Sequence, residues 1–184
     1  SVLYDVNRIG DVGYATNGSF KGAITRFWPS KQAALEAGTL INILWLACSL
    51  VAIAAAYVAI RALLQHGLLV DAVMVNAALM LLISTISWSH HWVWMPLWAL
   101  VLVWRWWHTH DRPVVLLVGA AVLAALTLYT PPHWWFGDYF GVEYTFAVWK
   151  KFLVMDFTWY AMFFIGVVWW AARRTPASTS ADEG

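Results

Sequence analysis

Five long stretches with almost no charged residue dominate this sequence. They run over residues 40–60, 68–88, 92–104, 114–130 and 152–172. A helix needs about 20 apolar residues to cross the hydrocarbon core of a membrane, and most of these stretches approach that length. The pattern predicts an all-α protein, a polytopic membrane bundle of about five transmembrane helices.

The composition excludes several other classes of protein. Hydrophobic residues make up 62% of the chain and charged residues only 11%, far from the proportions of a soluble domain. A net charge of +1 gives no reason to expect a nucleic-acid partner. Cys48 is the single cysteine, so an intrachain disulfide and a CxxC redox site are impossible.

The chain is expected to have three parts. Residues 1–38 form an extracytoplasmic segment, residues 39–172 the transmembrane bundle, and residues 173–184 a polar, disordered cytoplasmic tail. The opening stretch has no basic region followed by an apolar one, so it is not a signal peptide. Since the chain begins without Met, we expect a processed product or a piece of a longer protein.

Within the first part, a short amphipathic pattern predicts an interfacial helix on the outer face. Ser19 is a plausible N-cap and Pro29 a stop signal, after which Ser30 can cap a second helix. The apolar face would contain Phe20, Ala23, Ile24, Phe27 and Trp28, with Lys21, Thr25 and Arg26 on the opposite face.

Basic residues flanking the apolar stretches set the expected orientation. If five helices alternate, one group of arginines falls on the same side, which the positive-inside rule makes cytoplasmic. This group is Arg61, Arg105, Arg112, Arg173 and Arg174. A second group falls outside, comprising Arg8, Lys21, Arg26, Lys31, Lys150 and Lys151. These outer bases are either tolerated exceptions or ligands for an anionic group such as a lipid headgroup.

The densest polar and aromatic cluster is SWSHHWVW, at residues 87–94, where the second helix leaves the membrane on the outer side. Imidazoles such as His90 and His91 can hydrogen-bond to sugar hydroxyls or pair with phosphate. Indoles such as that of Trp88 suit the apolar side of a sugar ring or a lipid chain. An interfacial aromatic belt with two wetted histidines explains the same residues.

Haem or metal binding is a less favoured hypothesis. Neighbouring histidines on a helix point in different directions, so a shared metal would need a further ligand, and His133 is the only outer-side candidate. A haem held by two histidines needs ligands from facing helices. His66, His108 and His110, however, all lie near the cytoplasmic boundary. We therefore predict no metal and no cofactor.

Two acidic residues interrupt the apolar stretches. Asp156, if it lies within the hydrocarbon, costs roughly 2.5–3.5 kcal/mol on insertion scales, which makes it a functional candidate. Pairing with Lys150 or Lys151 at the interface would be a structural explanation. Asp71 is expected to be a first-turn acid that complements the helix dipole.

Two segments taken together resemble a known family. They are RIGDVGYATNGSFKGAITRF at residues 8–27 and STISWSHHWVWMPLW at residues 84–98. They resemble the actinobacterial polyprenyl-phosphate-mannose-dependent mannosyltransferases, GT-C type plasma-membrane enzymes that extend phosphatidylinositol mannosides on the outer face. Where the family shows Gly-Asn-Gln-Ser, this chain has Thr16, Asn17, Gly18 and Ser19.

The resemblance implies transfer of mannose, with inversion, from a polyprenyl-phosphate donor to a glycolipid acceptor. It covers only the C-terminal half of the family's length, and the family's catalytic carboxylate lies in the other half. The catalytic residue is thus unknown, although Asp11 or Asp156 could serve. The expected partners are membrane lipids and the N-terminal half of the same enzyme. The implied substrate-binding residues are Trp88, His90, His91, Asn17, Ser19, Arg8, Lys21, Arg26, Lys150 and Lys151. The alternative is a non-catalytic membrane subunit that binds lipid or a protein partner.

Overall fold

The structure, a computed structural model, describes residues 10–129, 131–136 and 141–174. Within these ranges the chain contains no strand, so the all-α prediction is confirmed there. The helices are α1 Phe20–Thr25, α2 Lys31–Glu36, α3 Gly38–Gln65, α4 Leu69–Ile83, α5 Met95–His108, α6 Val114–Leu128, α7 Val148–Leu153 and α8 Asp156–Ala172. Most of the predicted tail, residues 175–184, lies outside the described residues.

Among the described residues, two helical spans are long and apolar enough to cross a membrane, not the five that were predicted. They are Gly38–Gln65, with 28 residues, and Val114–Trp134, with 21. The predicted second stretch ends early at Ile83, because Ser84 leaves the helical conformation (ψ 148°). The third begins only at Met95, after a 3-10 turn over Ser89–Trp92. The fifth begins at Asp156, because a break after Leu153 separates α7 from α8.

The apolar surface faces outward along the helices. Only 17% of the most apolar stretch of α3 is buried inside the protein. Val51 is 70% exposed, and Leu100 on α5 is 64% exposed. The central helix of a soluble protein would instead be mostly buried. A helix that is apolar all round but unburied is typical of a membrane span.

Helix α8 lies at the centre of the bundle and packs against α3, α4, α5 and α6. The rings of Trp98 and Phe164 stack with their centroids 5.0 Å apart. The Tyr160 hydroxyl donates to the carbonyl of Gly119. A side chain at Gly119 would meet the Phe163 ring at 2.8 Å, so this glycine allows α6 and α8 to approach closely.

The first short helix begins where the sequence predicts. The hydroxyl of Ser19 accepts a hydrogen bond from Gly22 N at 3.1 Å, and Ser30 caps α2 in the same way through Ala33 N. The predicted division into faces is wrong at three positions. Thr25 and Arg26 are buried, whereas Phe27 is 38% exposed. The Arg26 guanidinium is buried because it binds backbone carbonyls of the preceding segment, which the amphipathic pattern does not show.

Two ion pairs lie at the end of the bundle where the predicted cytoplasmic arginines are found. Arg105 pairs with Asp71 through two contacts, Nε to Oδ1 at 2.6 Å and Nη2 to Oδ2 at 3.0 Å, and both residues are buried. Arg174 Nη1 lies 3.5 Å from Asp111 Oδ2. Asp71 lies in the first turn of α4, as predicted, and it also balances an arginine of the neighbouring helix α5, which the sequence did not indicate.

Candidate functional site

The two sequence motifs meet at the end of the bundle opposite these ion pairs, and Asn17 joins them. Its Nδ2 donates to the carbonyls of Val12, at 2.8 Å, and Thr85, at 3.3 Å. Its Oδ1 accepts from the backbone N–H groups of Ser19, at 3.2 Å, and Ser87, at 2.9 Å. The buried amide thus has all its hydrogen-bonding groups occupied by the backbone of the two motifs.

Gly18 brings the same segments into direct contact. Its N–H donates to the Ser87 carbonyl at 2.9 Å, and its carbonyl accepts from the Thr158 hydroxyl at 2.7 Å. A Cβ at this position would lie 2.7 Å from the Trp92 ring. The glutamine that the resemblance leads us to expect here would need a different local arrangement, because Gly18 packs closely against Trp92.

His90 and His91 lie exposed on the turn that follows, with ring centroids 4.3 Å apart. The backbone N–H of Trp88 donates to Nδ1 of His91 at 3.1 Å. A neutral ring then carries its proton on Nε2, which can donate to a ligand. Partial burial and the neighbouring His90 both lower the pKa of His91 below its ordinary value. His91 is therefore a neutral hydrogen-bond donor at neutral pH.

Trp88 is half-buried beside the N-terminal segment. Its ring meets that of Tyr14 edge-on, with centroids 6.1 Å apart, and lies 3.2 Å from the position of a Cβ on Gly10. Gly10 has a positive φ of 90°, so glycine suits it for both conformation and space. The indole thereby forms one wall beside the histidine turn.

Arg26 lies beneath this surface rather than on it. Its Nη1 donates to the carbonyls of Tyr14 and Asn17, both at 3.0 Å, while Nε and Nη2 have no hydrogen-bond partner within the described part of the chain. Burial lowers the pKa of Arg26 to about 10, and the negative charges of Asp156 and Glu143 oppose that fall. Arg26 remains charged at neutral pH and supports the segment that contains Asn17.

The other outer bases differ in accessibility. Lys151 is buried and donates to the carbonyl of Trp28 at 3.2 Å. Lys150 lies over the rings of Phe136 and Trp149, at 4.8 and 5.5 Å. Lys21 is half-buried, 5.1 Å from the ring centroid of Trp45. Arg8 lies outside the described residues.

A small cavity lined by both charged and apolar residues lies beside Lys21. It has a volume of about 180 Å³ and is also lined by Lys31, Asp11 and Tyr144. The Tyr144 hydroxyl donates to Asp11 Oδ1 at 2.7 Å, and Lys31 Nζ lies 3.6 Å from Asp11 Oδ2. Burial and the adjacent Asp11 raise the pKa of Tyr144, which stays protonated as a donor. Asp11 therefore has two partners, Tyr144 and Lys31, and the Lys21 ammonium lines the same cavity.

Asp156 pairs with a histidine, not with Lys150 or Lys151 as the structural explanation supposed. Both its oxygens lie near Nδ1 of the buried His133, at 3.1 and 3.0 Å, and Oδ2 also accepts from His133 N at 3.3 Å. The Phe157 N–H donates to Oδ1 at 2.8 Å. These contacts fix the connection over residues 131–136 to the start of α8. In the described ranges, no three His, Cys, Asp or Glu side chains come together as metal ligands.

One curated protein is similar to nearly the whole chain. The chain is 31% identical over 180 residues to the polyprenol-phosphate-mannose-dependent alpha-(1-2)-phosphatidylinositol mannoside mannosyltransferase of Mycobacterium tuberculosis. It is a partial-length homologue of that enzyme. The match takes in 95% of this chain but only 38% of the relative, so the chain spans well under half of the relative's length. No family model and no solved structure matches the chain.

The similarity confirms the resemblance that the two motifs indicated. Sequence reasoning missed several of the pairs that shape the site and the bundle. They are Asp11 with Tyr144, Asp156 with His133, and Asp71 with Arg105. The partners lie far apart in sequence and follow no local spacing, so only the fold reveals them.

Proposed function

We propose that this chain is part of an integral-membrane mannosyltransferase that acts on the outer face of the plasma membrane. The donor is a polyprenyl-phosphate mannose and the acceptor a glycolipid of the phosphatidylinositol mannoside type. The observation that carries the proposal is 31% identity over 95% of the chain to an enzyme named for this donor and acceptor. The joining of the two motifs through Asn17 supports a single site.

The proposed topology retains five membrane crossings. Helices α4, α5 and α8, with 15, 14 and 17 residues, are short for a full span. Short spans are accommodated by local thinning of the bilayer and by flanking residues. Each of them packs against at least one of the two longer spans. Tryptophans lie near the ends of α5 and α8. The SWSHHW turn then faces outward, and the Asp71–Arg105 end faces the cytoplasm.

In the proposed reaction the acceptor hydroxyl attacks the anomeric carbon of mannose. The bond from that carbon to the phosphate oxygen breaks, polyprenyl phosphate leaves, and a carboxylate base takes the hydroxyl proton. We expect the base to come from the part of the enzyme that this chain does not match. His90 and His91 bind the sugar or the phosphate, and Trp88 forms a wall beside them.

The remaining predicted residues fall into two roles in this proposal. Asn17, Ser19, Arg26 and Lys151 hold the backbone of the site, since their polar groups already bind backbone atoms. Lys21 keeps an ammonium available to an anionic ligand. Lys150, on its two rings, and Arg8 remain candidates for the same task.

The test is transfer of labelled mannose from polyprenyl-phosphate mannose to glycolipid in native membranes, where any further part of the enzyme is present. We expect His90→Ala and His91→Ala each to reduce the rate at least tenfold. His108→Ala, which removes an exposed histidine at the opposite end, should leave the rate unchanged. Full activity in both motif variants would refute the assigned site. If transfer persisted while the protein no longer co-purified with its partners, the non-catalytic subunit would be the better account.

A further inference from the structure

A groove of about 820 Å³ opens between α4 and α5, at the end of the bundle that holds the Asp71–Arg105 pair. Asp71 and Arg105 also line the groove, but both are buried and each balances the charge of the other. Six exposed apolar or aromatic side chains make up most of the remaining lining: Leu69, Val70, Leu100, Val103, Trp104 and Trp107. The groove is therefore an apolar surface that needs no ionic partner.

Both helices extend this exposed surface beyond the groove. Residues three or four positions apart lie on one face of a helix. On α5 the exposed residues with this spacing are Leu97, Leu100, Trp104 and Trp107. On α4 they are Leu69, Val73, Asn76 and Met80. Both faces reach the groove, since Leu69 and Leu100 line it.

Asn76 is the polar residue on the exposed face of α4. It lies at the middle of this 15-residue helix, so the proposed topology places it near the centre of the membrane. Among the hydrogen bonds between described residues, the one that its amide makes is a long contact from Nδ2 to Met80 Sδ, at 3.9 Å. A thioether is a weak acceptor. The amide therefore retains hydrogen-bonding capacity for a partner outside α4.

Hydrocarbon cannot supply that partner. The core of a bilayer contains no water to bind an exposed polar group, and asparagine side chains within spans hydrogen-bond to neighbouring helices. Thr127, an exposed polar residue on α6, shows how a polar side chain can tolerate lipid. Its hydroxyl donates to the Leu123 carbonyl of its own helix at 2.8 Å. Asn76 makes no such bond to the backbone of α4 in the described structure, so its face suits another helix better than lipid.

The lengths of α4 and α5 favour the same partner. With 15 and 14 residues, both are short for a full crossing. Packing against further helices is one way in which a short span is accommodated in a bilayer. The similarity to the mycobacterial mannosyltransferase covers only 38% of that enzyme, so most of the relative's length lies outside the match.

We propose that the exposed face of α4 and α5 is the interface for a transmembrane helix from the part of the enzyme that this chain does not match. That helix is apolar, packs into the groove beside Trp104 and Trp107, and carries a hydrogen-bonding side chain opposite Asn76. The assignment rests on the proposed function in one respect, that the chain is part of a longer membrane enzyme.

Site-specific photo-crosslinking in native membranes tests the interface. A benzoylphenylalanine placed at Val73 or at Leu100 should crosslink to a peptide that aligns with the unmatched part of the relative, as identified by mass spectrometry. The controls carry the same group at Val51 on α3 or Val118 on α6, which are exposed on the two longer spans. These positions should give mainly lipid adducts.

Asn76 provides the second arm of the test. Asn76→Leu should lower the yield of the crosslink from Leu100 about fivefold, because it removes an interhelical hydrogen bond. Asn76→Gln should retain most of the yield, and Thr127→Leu, which removes a hydroxyl satisfied within α6, should leave it unchanged.

Several outcomes would overturn the assignment. They are lipid adducts alone at Val73 and Leu100, an adduct between two copies of this chain, equal protein crosslinking at the control positions, or an undiminished yield in Asn76→Leu. The crosslink is measured without mannosyl transfer. A crosslink without transfer would therefore refute the proposed function alone, and transfer without the crosslink would refute this inference alone.

Discussion

At the scale of single residues, the site consists of side chains that hold the backbone and side chains that remain available. Asn17 and Arg26 donate to backbone carbonyls and are buried. His90 and His91 are exposed beside them. This division explains why so polar a segment is stable next to an apolar bundle, since buried polar groups cost free energy unless they are hydrogen-bonded.

His91 should titrate below the ordinary histidine pKa of about 6.5. Partial burial and the neighbouring His90 both disfavour its charged form. His90→Gln removes the second cause, so the pKa of His91 should rise towards the ordinary value. The measurement is an NMR titration of the protein with labelled histidine in micelles. A His91 pKa above 6.5, or one that falls in His90→Gln, would contradict the proposed neutral donor.

At the scale of elements, Asn17 links the N-terminal segment to the turn after α4. Asn17→Ala removes four hydrogen bonds and leaves buried backbone groups unpaired. We expect a loss of about 3 kcal/mol in the free energy of unfolding. Titration with a denaturing detergent measures it. Gln32→Ala, at an exposed position on α2, is the matched control and should change it by less than about 0.5 kcal/mol. Equal stability of the two variants would show that Asn17 does not join the motifs.

Local elements of the fold follow from the sequence, whereas long-range pairs do not. Ser19 and Ser30 cap helices as predicted, because capping depends on residues two or three positions away. The burial of Arg26 depends on carbonyls that another segment positions, and a helical periodicity cannot show this. Asp71 and Arg105 meet across two helices, 34 positions apart in sequence. The histidine motif is recognisable in the sequence because polar and aromatic residues are concentrated there, between two apolar stretches.

At the scale of the whole molecule, the bundle has two different ends. One end holds Asn17 and the histidine turn, and the other is closed by Asp71–Arg105 and Arg174–Asp111. Outward-facing apolar helices lie between them, as a membrane protein requires. In the proposed topology a lipid-linked sugar reaches the histidine end from within the outer leaflet, so the phosphate and its chain need not leave the membrane.

A donor-specificity assay decides whether the protein uses a lipid-linked or a nucleotide-linked sugar. Native membranes containing the protein are supplied with labelled mannose either as polyprenyl-phosphate mannose or as a nucleotide-linked mannose, with synthesis of the lipid-linked donor blocked. We expect labelled glycolipid from the polyprenyl-phosphate donor alone, and little label in membranes of His91→Ala. Transfer from the nucleotide donor under the block, or equal labelling with and without this protein, would contradict the proposed function.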